Sequence, residues 1–104
     1  MKLAYSTGAL GTFIKEQSLI IKTEKGLVVL VGCSHPGVDK ILERVREMKL
    51  GKIYAIIGGF HGFNKLDKLK DIEIVGACHC TQKLNEIKKL PNFKEINAGD
   101  EIEI

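Results

Sequence analysis

Arginine, aromatic residues and long apolar runs are scarce in this chain, and each scarcity removes a class of function. Only two arginines occur, Arg44 and Arg46, and aromatic residues make up 6% of the 104 positions. The formal net charge of +3 comes from lysines spread along the sequence, with no basic cluster interleaved with aromatics. That distribution describes a solvated Lys/Glu surface and argues against nucleic acid as a partner. No apolar run reaches the roughly 18 residues of a membrane span, so no membrane is expected either. The opening residues carry one lysine and a short apolar stretch broken by glycines, which is not the pattern of a signal peptide. Cysteine is present, but three is an odd count and a poor start for a disulfide framework. Reduced thiols in a cytoplasmic chain fit better.

What is present reads as a single α/β domain over residues 1–104. A chain of this length buries roughly 60–70% of its unfolded surface, enough for a real core. Its centre is the run Leu27-Val28-Val29-Leu30-Val31, followed by Gly32-Cys33-Ser34-His35-Pro36-Gly37. Five consecutive apolar residues between polar flanks predict a strand buried on both faces. The spacing of Val38, Ile41, Leu42, Val45 and Met48 then predicts a helix over Gly37–Met48, with Pro36 tolerated at its start and Gly51 a candidate C-cap. Ser18–Thr23 reads as a strand joined to the central one by Glu24-Lys25-Gly26, an antiparallel hairpin. Lys52–Ile57 and Ile72–Val75 read as further strands. Residues 64–71 read as a short surface helix, and Thr81–Leu90 as a second amphipathic helix stopped by Pro91. Met1–Thr12 is weakly patterned, with one short strand at Leu3–Tyr5. Phe93–Ile96 and Glu101–Ile104 close the chain as short strands. No repeat or low-complexity segment interrupts this order.

All three histidines follow strands, each in a glycine-flanked loop. His35 follows Leu27–Val31, His61 follows Lys52–Ile57 and His79 follows Ile72–Val75. If those strands are sheet neighbours, their carboxyl ends share one edge, where open α/β sheets collect ligands. Three imidazoles with the thiols of Cys33, Cys78 and Cys80 form a mixed nitrogen and sulfur donor set suited to zinc or iron. The plainer reading makes Cys33 a small buried hydrophobe and His35 a capping residue of the helix that follows.

The motifs Gly32-Cys33-Ser34-His35-Pro36-Gly37, Ile57-Gly58-Gly59-Phe60-His61 and Ala77-Cys78-His79-Cys80-Thr81, in that order, resemble the C-terminal half of the metallo-β-lactamase superfamily. Within it the chain is most similar to the branch of dihydropterin–ribofuranosylaminobenzene-phosphate synthase-like metal-dependent hydrolases, over roughly residues 6–96. Glu16-Gln17-Ser18-Leu19-Ile20-Ile21 and Lys25-Gly26-Leu27-Val28-Val29 stand where that branch has its strand pair. The resemblance implies half of an αββα sandwich: a mixed sheet with two main helices and a metal site at one edge. It also implies His79 as the last metal-ligand histidine, and Cys33 and His35 in the loop where other members supply a bridging carboxylate or another ligand. His61 belongs to the Gly-Gly-Phe-His motif and joins the expected metal set, while Ser34, Cys78 and Thr81 are expected on the substrate side.

The superfamily's H-x-H-x-D-H signature is absent from this chain, so no catalytic residue is assigned and any metal site is expected to be incomplete. The reading is a split subunit or truncated remnant of a metal-dependent hydrolase, or of a pterin-linked transferase, acting on a small molecule once completed. Its sheet should expose an apolar second face carrying Val28, Leu30 and Ile56 or their alternates, to be covered by a second copy or by a separate N-terminal-half chain. Two other classes stay open. One is a non-catalytic binding or assembly module; the other is a small structural zinc protein closed by Cys33, His35, Cys78 and Cys80.

Overall fold

The computed structural model describes residues 4–11, 16–32, 34, 37–60, 69–77, 89 and 91–93. Five strands, β1 (Ala4–Ser6), β2 (Leu19–Thr23), β3 (Gly26–Val31), β4 (Ile53–Gly58) and β5 (Ile74–Ala77), form one sheet in chain order, with helix α1 (Val38–Glu47) between β3 and β4. β1, β2 and β3 run antiparallel as a meander, whereas β3, β4 and β5 are parallel neighbours. The hairpin predicted around Glu24-Lys25 is present, with Thr23 opposite Gly26 and the Thr23 hydroxyl donating to the Gly26 carbonyl.

Alternation sorts the strands into two faces. Ile20, Val29, Ile56 and Val75 point to one side, where the α1 residues Val38, Ile41, Leu42 and Val45 join them in a fully buried cluster with Phe60, Leu69 and Ile72. The helix forms because those four recur at i, i+3, i+4 and i+7, one stripe of a 3.6-residue period. Asp39 in its first turn and Arg44 and Arg46 in its last complement the helix dipole. It closes sooner than Gly51: Met48 caps it and Lys49 takes the left-handed conformation at φ 53°. Gly51, at φ 146°, instead turns the chain toward β4.

The other face carries Val28, Ala55 and Ile74, with Ile21, Leu30, Tyr54 and Ile57 half-buried around them. Every member comes from the sheet itself, so among the described residues nothing is layered on it. Ile56 is not on this face, contrary to simple alternation. Leu27 pairs with Ile53 but Val28 pairs with Ala55, so Tyr54 is an extra residue in β4. This bulge shifts Ile56 opposite Val29 and turns it toward the helix, and leaves Ala55 and Ile57 opposite Val28 and Leu30. Ile53 and Ile56 can then both serve the main core, which a regular strand would forbid.

Other boundaries differ locally. The last parallel strand starts at Ile74, not Ile72, because the Ile72 N–H is taken by the Leu69 carbonyl in a tight turn. Leu69 itself is fully buried, so this end of the expected surface helix belongs to the core. Residues 61–68, most of Thr81–Leu90 (the second main helix), and the segment from 94 onward lie outside the described residues. Phe93 makes an isolated parallel bridge to Val75, alongside a Val75 N–H bond to the Asn92 carbonyl. Residues 7–11 run beside the helix side of the sheet: Leu10 packs on the main core and Arg44 Nε donates to the Thr7 carbonyl at 3.1 Å. Among the described residues no helix is long and apolar enough to cross a membrane.

Candidate functional site

The three parallel strands place their carboxyl ends side by side. Val31 is opposite Gly58, and Gly58 is opposite Ala77, so the final residues of β3, β4 and β5 form one row along a single edge. The expectation that three separate strand ends converge is met by this row. Cys33, His35, His61, Cys78, His79, Cys80 and Thr81 follow these ends in the chain and themselves lie outside the described residues. Of the expected site residues, Ser34 alone is described. Among the described residues no three metal-ligating side chains cluster.

Two hydrogen bonds lock the first two loops together. The Gly59 N–H donates to the Gly32 carbonyl at 2.7 Å, and the Ser34 hydroxyl donates to the Gly59 carbonyl. Ser34 is 2% exposed and holds a left-handed φ of 60°, unusual for a residue with a side chain. Its own carbonyl accepts the Gly37 N–H at 3.0 Å, at the entry to α1. The serine between Cys33 and His35 is therefore a tether, its buried hydroxyl joined to the Gly59 carbonyl. A buried left-handed residue is a form of backbone strain common at functional sites, held here by the bonds on either side.

Removing the hydroxyl separates those effects. Ser34→Ala leaves the Gly59 carbonyl short of its buried donor, and we expect about 1–3 kcal/mol of lost stability. Ser34→Gly loses the same bond but relieves the left-handed backbone, worth about 1 kcal/mol, and should melt above the alanine variant. Thermal unfolding of both checks the order; the reverse order would remove the strain from the account.

Glycine is required at the end of β4. A Cβ on Gly58 would stand 2.0 Å from the Val31 carbonyl oxygen. β3 and β4 approach this closely just where their loops must meet, so the motif glycine serves the backbone approach.

One acidic residue lies at the same edge without having been expected there. Because β2 is antiparallel to β3, the residues preceding β2 sit beside the end of β3. Glu16 is held there by reciprocal backbone bonds with Leu10, at 2.8 and 2.9 Å. Its Oε1 is 2.9 Å from where a Cβ on Gly32 would be. The β2–β3 register brings it there, and no local sequence pattern marks it.

The donor set following the edge, imidazoles and thiols with a carboxylate nearby, is chemically suited to a divalent transition metal.

No family model matches the chain. It is 35% identical, over an alignment of 91 residues, to the 7,8-dihydropterin-6-methyl-4-(β-D-ribofuranosyl)-aminobenzene-5′-phosphate synthase of Methanocaldococcus jannaschii, covering 77% of this chain and 31% of that protein. A crystal structure of a metal-dependent hydrolase of the β-lactamase superfamily superposes with a TM-score of 0.72 at 32% identity, covering 86% of this chain and 41% of that one. The chain thus spans about a third of the length of the curated relative and two fifths of the solved one.

Proposed function

We propose, for a chain related to the metallo-β-lactamase superfamily, that it is the C-terminal half of a metal-dependent hydrolase or pterin-linked transferase-like enzyme. The row of strand ends Val31, Gly58 and Ala77 supports this reading, since Cys33, His35, His61 and His79 each follow one of these ends closely in the sequence. Those four would hold a divalent metal, zinc or iron. Cys78 and Thr81 would face a small-molecule substrate, with Ser34 positioning the first loop from behind. The names of the two similar proteins support both halves of the description, metal dependence and the synthesis of a pterin-linked phosphate. When bound, the metal would polarise the substrate and activate water near neutral pH. The chain's own residues would bind and orient it, and its reduced thiols are compatible with a cytoplasmic setting.

Completion by a partner is part of the proposal. The chain has no H-x-H-x-D-H, and its second sheet face leaves Leu19 44% exposed with Ile21, Leu30 and Ile57 half-buried. Each such side chain gains up to about 1–2 kcal/mol from full burial. A facing sheet about 10 Å away is the geometry that provides it. A second copy is the occupant for the chain alone, and a separate chain bearing the signature is the occupant for the active form.

One experiment tests the whole. Metal content and mass by light scattering are measured on the chain alone and with a fragment carrying H-x-H-x-D-H. We expect a dimer alone, with metal lost on dialysis against a chelator, then retained metal and hydrolysis once the fragment is added. Stoichiometric metal surviving dialysis of the chain alone would contradict the incomplete site. A monomer alone would contradict the open face.

A further inference from the structure

We propose that Glu16 supplies a carboxylate to the cation site at the carboxyl edge of the sheet, a fifth contributor from outside the three histidine loops. This rests on the reading of that edge as a divalent-metal site. Position comes first. The paired backbone bonds to Leu10 fix Glu16 just ahead of β2, and the antiparallel β2–β3 pairing sets that point against the end of β3. The Thr7 hydroxyl, accepting the Ser18 N–H at 3.0 Å, braces the same segment from the buried side. Glu16 is thus delivered by a stiff element, not by a free loop.

Space comes second. Gly32 is the residue directly before Cys33, and the Glu16 carboxylate occupies the volume its side chain would otherwise fill, 2.9 Å from the Cβ position. No left-handed φ is found at Gly32, so backbone conformation does not demand glycine there. The absence of a side chain has a different use: it admits the carboxylate to the first ligand loop. Gly32 is also tied through its carbonyl to Gly59, so the carboxylate rests beside the junction of the first two loops.

Charge comes third. Thiol and imidazole donors bind many transition metals, and an adjacent carboxylate adds negative charge, through an imidazole N–H or on the ion itself. Groups of this kind set metal affinity by roughly 10–100-fold even when they do not ligate directly. A carboxylate on the β2 side of β3 would close the site from that side of the row of strand ends.

Zinc affinity, measured by competition with a chromophoric chelator, tests the assignment in Glu16→Gln, Gly32→Ala and Glu47→Gln. Glu47 ends α1, is exposed and serves as the charge control. We expect Glu16→Gln to weaken zinc binding roughly 10–100-fold while its melting temperature in excess chelator stays at the wild-type value. Gly32→Ala, whose methyl displaces the carboxylate, should weaken it in the same sense, and Glu47→Gln should match wild type. Wild-type affinity in Glu16→Gln overturns the role of Glu16 and leaves the metal site standing. A wild-type chain that takes up no zinc even with the fragment carrying H-x-H-x-D-H present overturns the metal site and this inference together.

Discussion

Gly58→Ala is expected to cost more than about 4 kcal/mol, placing it among the rare substitutions that can unfold a small domain outright. The added methyl carbon would lie 2.0 Å from the Val31 oxygen, 2.6 Å from Val31 Cγ2 and 2.8 Å from the Val31 carbonyl carbon. Two of those atoms are backbone, so relief requires β3 and β4 to move apart and not a side chain to rotate. The residue also sits at φ 142°, a region that side chains disfavour. These two strands are the centre of the sheet, so separation there disturbs the packing of Val29 and Ile56 under the helix. Typical domains have only 5–15 kcal/mol to lose, and each kcal/mol shifts the melting temperature of a domain near this size by about 4–8 °C. Thermal unfolding by circular dichroism is the measurement. A variant melting within a few degrees of wild type would show that the close approach is not a feature of the folded protein. Gly8→Ala is the comparison: nothing lies within 4 Å of its Cβ position, so only its left-handed φ of 78° opposes the methyl, and a loss of about 1 kcal/mol is expected.

Phe60→Ala should be the most damaging truncation of a core side chain, at about 3–5 kcal/mol. Phe60 is the largest fully buried side chain among the described residues, in one cluster with α1, Leu69 and Ile72. It is also the residue immediately before His61. The aromatic of the Gly-Gly-Phe-His motif is thereby an anchor: it pins the start of the loop after β4 into the core. Removing the ring loses its transfer energy and leaves a cavity that α1 can only partly fill. Phe60→Leu keeps most of the volume and should lose roughly half as much. Chemical denaturation gives both values, and a change in midpoint without a change in slope identifies a packing defect in an intact fold. An alanine variant losing less than about 1 kcal/mol would mean the loop is held by Ser34 and Gly32 alone.

Periodicity alone determined much of this protein. The length and β-branched content of Leu27–Val31 marked a strand, and Val38, Ile41, Leu42 and Val45 marked one stripe of a helix. Burial on both faces was expected of that strand, whereas Leu30 and Val31 stay half-buried. The carboxyl ends of β3, β4 and β5 were legible as one edge because parallel strands joined by crossovers share a direction. Local patterns of this kind survive folding because burial acts on them residue by residue.

Other features are decided by pairs of residues distant in sequence. Tyr54 reads as an ordinary member of a strand until β3 is laid beside it and the bulge appears. That one extra residue moves Ile56 to the helix side and sets which apolar residues remain for a partner. Glu16 and Gly32 lie sixteen positions apart, and no spacing rule relates them; the hairpin register places one over the other. Ser34 looks like a site hydroxyl in the sequence, yet its donor goes to the Gly59 carbonyl, 25 residues on. In each case the deciding quantity is a contact distance across strands, which sequence pattern cannot carry and only the assembled sheet supplies.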